Sequence, residues 1–397
     1  SFAVKRDDGE TELHRTTLGE SLDFRDDERI FYAFRDLAEG LEYLRNGREL
    51  REKGLYAELG EYQFHVFMDF REIHEDADNS WGRLCASLNG RGVESLDDER
   101  KQVLHASLNE AFQTLLMLVP DGETGVLAAV TARQKDVVSA AQRFMAILNA
   151  RQKGKRHKIA APADIPACLA LLALLASLQA SRPASKEARA FRARVVALLD
   201  ATAGARLLLA WLLLRTSGIE FDSFGLDYSL RRLLTDTDVQ DARHGVQLFM
   251  ALLALGNPAG TEVVKPAAGL FSPAACRAFL LVHESGGVEW FNKERFEELV
   301  AWLAVVTLAS RAEQRPAART LATWLASAER DLRHVIESAA HAGYRTGLFM
   351  RLVEPVTVKL MAKKAVVGST TTGRKGKDVQ GGAGTGPAKT PNHKIPR

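Results

Sequence analysis

From Trp81 to about Lys364 apolar residues return at intervals of three and four almost without interruption, so most of this chain can only fold as helices sharing buried faces. Val103, Leu104, Leu108, Phe112, Leu115 and Leu116 form one stripe behind the cap signal Ser95-Leu96-Asp97-Asp98, and Pro120-Asp121-Gly122 ends it. Residues 124–152 predict another helix, with Val126, Val130, Val137, Ala141, Phe144, Ile147 and Leu148 inward. Three Leu- and Ala-rich helices are expected at 163–179, 186–201 and 206–216, separated by Arg182-Pro183 and Gly204 at bundle-like spacing. An aromatic linker at 221–228 leads to helices at 228–234, 239–255 and 272–283, the last with Pro273 at its first position after Ser272. Asn292 caps a helix reaching Arg311 with Phe296, Leu299, Val300, Leu303 and Val306 inward; Trp290 and Phe291 before it predict a hydrophobic staple in preference to an exposed aromatic platform. Pro316 opens the next helix, to about Ala342, and a last one at 346–364 carries the helix breaker Pro355.

The first 75 residues depart from this pattern. Residues 2–5 and 11–15 flank Asp7-Asp8-Gly9 and predict a hairpin, followed by an irregular or short helical connector at 17–20. Phe31, Phe34, Leu37, Leu41 and Leu44 recur as one helical face, interrupted by Gly40, and predict a helix over 31–45. Residues 63–71 predict the longest strand. Phe64, Val66, Met68 and Phe70 would share its core face, while His65, Phe67, Asp69 and Arg71 would share a mixed face bordering something packed on the sheet. A weaker strand at 55–59 would pair with it through a turn at Gly60-Glu61. The expected fold class is mainly α, with a small α+β module at 1–75, a large helical domain at 80–364 and a disordered basic tail at 365–397. No fixed-period repeat points to a solenoid.

The formal net charge of +3 is uneven: residues 363–397 hold eight Lys or Arg against Asp378 alone, which is +7 and leaves −4 for the rest. The tail lacks aromatic residues to stack on bases, so no specific nucleic-acid partner is expected. The longest apolar runs, 167–178 and 207–214, fall short of the roughly 18 residues of a membrane span, and no membrane partner is expected. Cys85, Cys168 and Cys276 are odd in number and lack CxxC spacing, which argues against disulfides and structural zinc and fits a cytoplasmic location. The start at Ser1, without Met or an apolar leader, reads as the interior of a longer polypeptide.

Chemistry-bearing motifs are few. His65 and Asp69, on one strand face beside Arg71, Glu72 and His74, have the residue types of a catalytic or metal pair, but alternating charges on an exposed strand give the plainer account. His283-Glu284-Ser285 reads as a helix end, since no second His stands four residues on. The glycine-rich 381–386 lacks the strand and helix of a phosphate loop and reads as linker. No catalytic residue, metal ligand or cofactor is assigned, and substrate-binding residues remain unknown.

Four stretches carry a resemblance: TELHRTTLGESL at 11–22, GLEYLRNGRELREKGLYAELGEYQFHVFMDFREI at 40–73, SLNGRGVESLDD at 87–98 and GVEWFNKERFEELVAWL at 287–303. Together they resemble the C-terminal portion of large bacterial α-amylase-superfamily glycosidases, closely over the first hundred residues and again after Trp290. Between Val119 and His283 the likeness is only of helical character. The resemblance implies a (β/α)-barrel upstream, then a small β-containing module, then a helical extension. It implies catalysis by an Asp nucleophile in a GFRxD-like motif, a Glu acid/base and an Asp in an HD-type motif. None of these motifs occurs here, so the implied role is non-catalytic: packing on and stabilising the barrel of an α-glucan-active hydrolase, with α-glucan met only through that barrel. The alternative is a self-contained helical protein-interaction module.

Overall fold

The computed structural model describes residues 2–353 except 6, 8, 15, 58, 123–124, 153–164, 181–182, 184, 236–241, 257–266 and 314–317. The expected tail, the Pro355 break, Pro316 and the glycine-rich 381–386 lie outside the described residues. The fold is mainly helical, with a small antiparallel sheet module in the first third of the chain.

Strands β1 (Phe2–Lys5) and β2 (Thr11–His14) form the expected opening hairpin, and α1 (Leu18–Ser21) the short connector. The next segment corrects the sequence expectation. Residues 31–45 are not a helix: β3 (Ile30–Asp36) and β4 (Leu41–Asn46) pair antiparallel around a turn holding Gly40 at φ 73°. Ile30-Phe31-Tyr32-Ala33-Phe34 is β-prone and buried on both faces, so apolar residues three apart fall on opposite sides of a covered strand. Helix α2 (Gly47–Lys53) follows, capped by the Asn46 side chain, and β5 (Phe67–His74) completes a sheet of order β4-β3-β5. The expected strand at 55–59 does not form among the described residues there, and the long strand starts four residues later and ends three residues later than the expected 63–71.

Phe31, Ala33 and Leu44 pack one face of the sheet on Leu84, Leu88, Val93 and Leu96, from α3 (Ser80–Leu88), α4 (Leu96–Leu104) and the loop between them. The other face buries Ile30 and Tyr32 against Phe24 and Leu50. Helix α5 (Ala106–Met117) then leads into one large apolar core. The expected helix over 124–152 divides at Arg133 into α6 (Val126–Ala132) and α7 (Gln134–Gln152). Helices α8 (Ile165–Ala180), α9 (Lys186–Leu199) and α10 (Thr202–Leu214) match the predicted trio. Gly204, expected between helices, lies inside α10, where a Cβ would come 1.8 Å from the Leu198 carbonyl oxygen.

Helix α10 is the axis of the domain: every residue from Gly204 to Leu214 is buried, and α5, α6, α8, α9 and α12 (Ala242–Leu255) pack around it. Its buried Arg206 donates to the carbonyls of Leu233 (2.8 Å) and Leu116 (3.3 Å), tying two other helix ends to it. Helix α11 (Leu226–Thr235) packs on α5 and α12, with Ser229 Oγ donating to Asn109 Oδ1 at 2.8 Å, and just ahead of it the Gly225 carbonyl accepts from Gln102 Nε2 of α4 at 2.6 Å. Beyond α13 (Ala267–Phe271), α14 covers only Ala274–Phe279, with Pro273 at its N-cap and no Ser272 cap. His283-Glu284-Ser285 is no helix end but strand β6, paired with β7 (Val288–Trp290) across Gly286-Gly287. Helices α15 (Lys293–Glu313) and α16 (Ala318–His341) follow, and residues 346–353 are helical. All three cysteines are free, and no single helix among the described residues is long and apolar enough to cross a membrane.

Candidate functional site

Strand β5 lies at an edge of the three-stranded sheet, and its pairing with β3 slips between Ala33 and Arg35. Opposite that slip Asp69 adopts φ 58°, the left-handed conformation that an extra residue in a bulged strand can take. Alternation therefore fails. Phe64, Val66, Met68 and Phe70, expected as the core face, are exposed, Phe64 to 67% and Met68 to 46%. Phe67, expected on the face that something else would cover, is instead half-buried, edge-on to Phe34 (5.3 Å) and Tyr43 (6.1 Å).

Of the fourteen large apolar side chains exposed among the described residues, seven (Tyr56, Leu59, Tyr62, Phe64, Val66, Met68 and Phe70) fall within fifteen positions. Scattered exposed apolar residues need no account, but this concentration on and before an open strand edge marks a surface that suits a partner. The adjoining turn adds exposed Leu37, whose N–H donates to the Val66 carbonyl at 2.9 Å.

Behind this surface Asp36, at the end of β3, is wholly buried. Its Oδ1 accepts from the N–H groups of Ala38 (3.0 Å) and Val66 (3.1 Å), and its Oδ2 meets His65 Nδ1. Burial works to raise the pKa of Asp36, but His65 and the two N–H donors outweigh it and hold the carboxyl below its ordinary value. The pairing imagined for His65 with Asp69 is thus replaced by His65 with Asp36. Asp36 was hidden to sequence inspection inside the misread helix; the β-prone run from Ile30 to Phe34 was the signal that could have placed it at a strand end. His65 stacks on Phe67 at 5.5 Å, and both line a cavity of 230 Å³ with Phe34, Glu39, Tyr43 and Tyr56. Burial, then the hydrogen bond to Glu39 (2.6 Å), push the Tyr43 hydroxyl up to about 12.

A larger cleft of 750 Å³ lies between the loop after α3 and helices α11 and α12. Glu94 bridges Arg231 (3.5 Å) and Arg243 (3.1 Å) across it, and the Tyr228 hydroxyl donates to Glu99 at 2.6 Å. These contacts form a polar seam between the loop after α3 and helix α4 on one side and α11 and α12 on the other. His283 and Glu284 are exposed on the β6–β7 hairpin, far in sequence from either cavity. Comparison with protein-family models, with curated proteins and with solved structures gives no match.

Proposed function

We propose that this chain is the non-catalytic C-terminal portion of an α-amylase-like glycoside hydrolase of α-glucan metabolism, and that its sheet module packs on and stabilises the catalytic barrel of the same polypeptide. The exposed apolar stretch from Tyr56 to Phe70 carries the reading. A surface that leaves Phe64 and Val66, ahead of the strand, and Met68 on it largely in water costs hydrophobic free energy, about 25 cal/mol per Å², which a permanently attached neighbour recovers. The same stretch lies within the longest segment resembling that superfamily, 40–73, so the likeness and the unpartnered surface coincide. The remaining helices bury their apolar faces on one another around α10, which suits a supporting extension.

The reading frame upstream of Ser1 tests this. It should encode a barrel carrying an Asp nucleophile, a Glu acid/base and a further Asp, and the chain without it should release no reducing ends from starch or maltooligosaccharides. A start codon directly before Ser1, or turnover by the chain alone that one internal Asp or Glu substitution abolishes, would overturn the proposal.

A further inference from the structure

The end of β3, the β3–β4 turn and the residues leading into β5 each bring one metal-ligating side chain to the same point: Asp36, Glu39 and His65. Their ligand atoms all lie within 4.8 Å of one another. We propose that these three side chains form a binding site for one divalent transition-metal ion of the Zn²⁺ type, on the wall of the aromatic cavity.

Geometry carries this beyond a simple ion pair. Asp36 Oδ1 is committed to two backbone N–H donors, which fixes the carboxylate so that Oδ2 faces His65. Tyr43 donates to Glu39 Oε2 and orients that carboxylate in turn. Ligands held by a surrounding layer of hydrogen bonds are the usual arrangement of a metal site. Even with His65 protonated, two carboxylates and one imidazolium sum to −1, and Asp36 is fully buried. The neighbouring Arg45 directs its guanidinium to the carbonyls of Leu44 (3.1 Å) and Gly90 (2.7 Å).

The donor set selects the ion. One imidazole and two carboxylates suit Zn²⁺ and its neighbours, whereas Ca²⁺ takes six to eight oxygens. Around an ion at about 2.1 Å, tetrahedral ligand atoms stand roughly 3.4 Å apart. The exposed Glu39 closes inward to reach that spacing, and the His65 ring withdraws from Asp36 so that the ion lies between them. His65 then binds as neutral imidazole and gives up the proton it shares with Asp36. The 230 Å³ cavity, lined by Glu39 and His65, leaves room for a water as fourth ligand. A bound ion would tie the turn and the lead-in to β5 onto β3. This reading stands independently of the glycosidase proposal and reverses the expectation that the chain has no metal ligands.

The test is titration of the full chain, stripped with a chelator, by ZnCl₂ in a calorimeter and by Co²⁺ in visible absorption. One ion per chain is expected at this site, with a raised melting temperature. Glu39→Gln, which removes the charge of a direct ligand, should weaken that binding by at least about 10-fold, since losing even a group that only supports a ligand costs about 10- to 100-fold, and His65→Ala should abolish it and the Co²⁺ d–d spectrum. No uptake by the native chain, or uptake that Glu39→Gln leaves unchanged, would overturn the site and leave Asp36–His65 as an ion pair. If His65→Ala fails to fold, Glu39→Gln decides alone, because Glu39 is exposed.

Discussion

Two carboxylates close the N-terminus of α3. Glu75 accepts from the N–H groups of Trp81 (3.0 Å) and Gly82 (2.7 Å), and Asp76 accepts from the Ser80 N–H (2.8 Å), the Ser80 hydroxyl and Arg100 (2.6 Å). Negative groups belong there, because the first N–H groups of a helix lack partners and carry the positive end of its dipole. Gly82 permits the approach, since a Cβ would stand 2.6 Å from Glu75 Oε2. Burial works to raise the pKa of Asp76, but Ser80 and Arg100 outweigh it and hold the carboxyl well below its ordinary value. A carboxyl depressed in the folded state adds stability above its unfolded pKa, and that stability is lost as pH falls through the folded pKa. Asp76→Asn should therefore cost about 1–3 kcal/mol near pH 7, by loss of charged hydrogen bonds. The gap from the native chain should narrow below about pH 4, where the unfolded carboxyl takes up its proton while the folded one still holds its charge; urea unfolding at several pH values checks this. A gap that widens in acid would contradict the assignment. In sequence the stretch 75–79 is merely acidic and polar, and Asn79, the residue in the cap position, makes no side-chain cap bond. The caps are supplied from further upstream, which a spacing rule for a single cap residue misses.

Among elements, legibility follows how many local signals agree. Helix α15 was readable because cap, staple and stripe coincide: Asn292 accepts from the Arg295 N–H at 2.9 Å, Phe291 packs on Phe296 at 5.0 Å, and Phe296, Leu299, Val300 and Leu303 are buried. The β3–β4 hairpin was not, because a strand covered on both faces loses the alternation that marks strands and imitates helical spacing. The open surface was half legible. Its residues stood out as an apolar stripe, but a stripe covered by this chain and one covered by another segment have the same sequence pattern. Glu39 and Asp36 were unreadable for a further reason: they meet His65 only once the turn and the lead-in to β5 are placed side by side. Helix α10, wrapped by neighbours, should be the element least tolerant of change. Leu208→Ala should cost about 2–5 kcal/mol in denaturant unfolding, whereas Met117→Ala, at an exposed helix end, should stay within about 0.5 kcal/mol. Comparable losses at both positions would argue against α10 as the axis of the core.

At the scale of the whole molecule, the two ends of the fold are finished differently. The helical part closes on itself: α9 and α16 pack together, α15 packs on α8 and α9, and the aromatic group of Phe271, Phe291, Phe296 and Phe349 is buried. The sheet module buries every residue of β3 but Arg35, yet leaves β5 with a free edge and apolar side chains in solvent. This asymmetry is what a supporting extension would show if the neighbour on its sheet side were another part of the same polypeptide. The most direct measurement is the fluorescence of a hydrophobic dye, compared at equal concentration between this chain alone and the longer polypeptide that the proposal calls for, with a barrel upstream. The chain alone should bind more dye, and Phe64→Ser combined with Met68→Ser should remove the excess without lowering thermal stability. Equal dye binding by the two proteins, or an excess that the double substitution leaves intact, would contradict the docking surface.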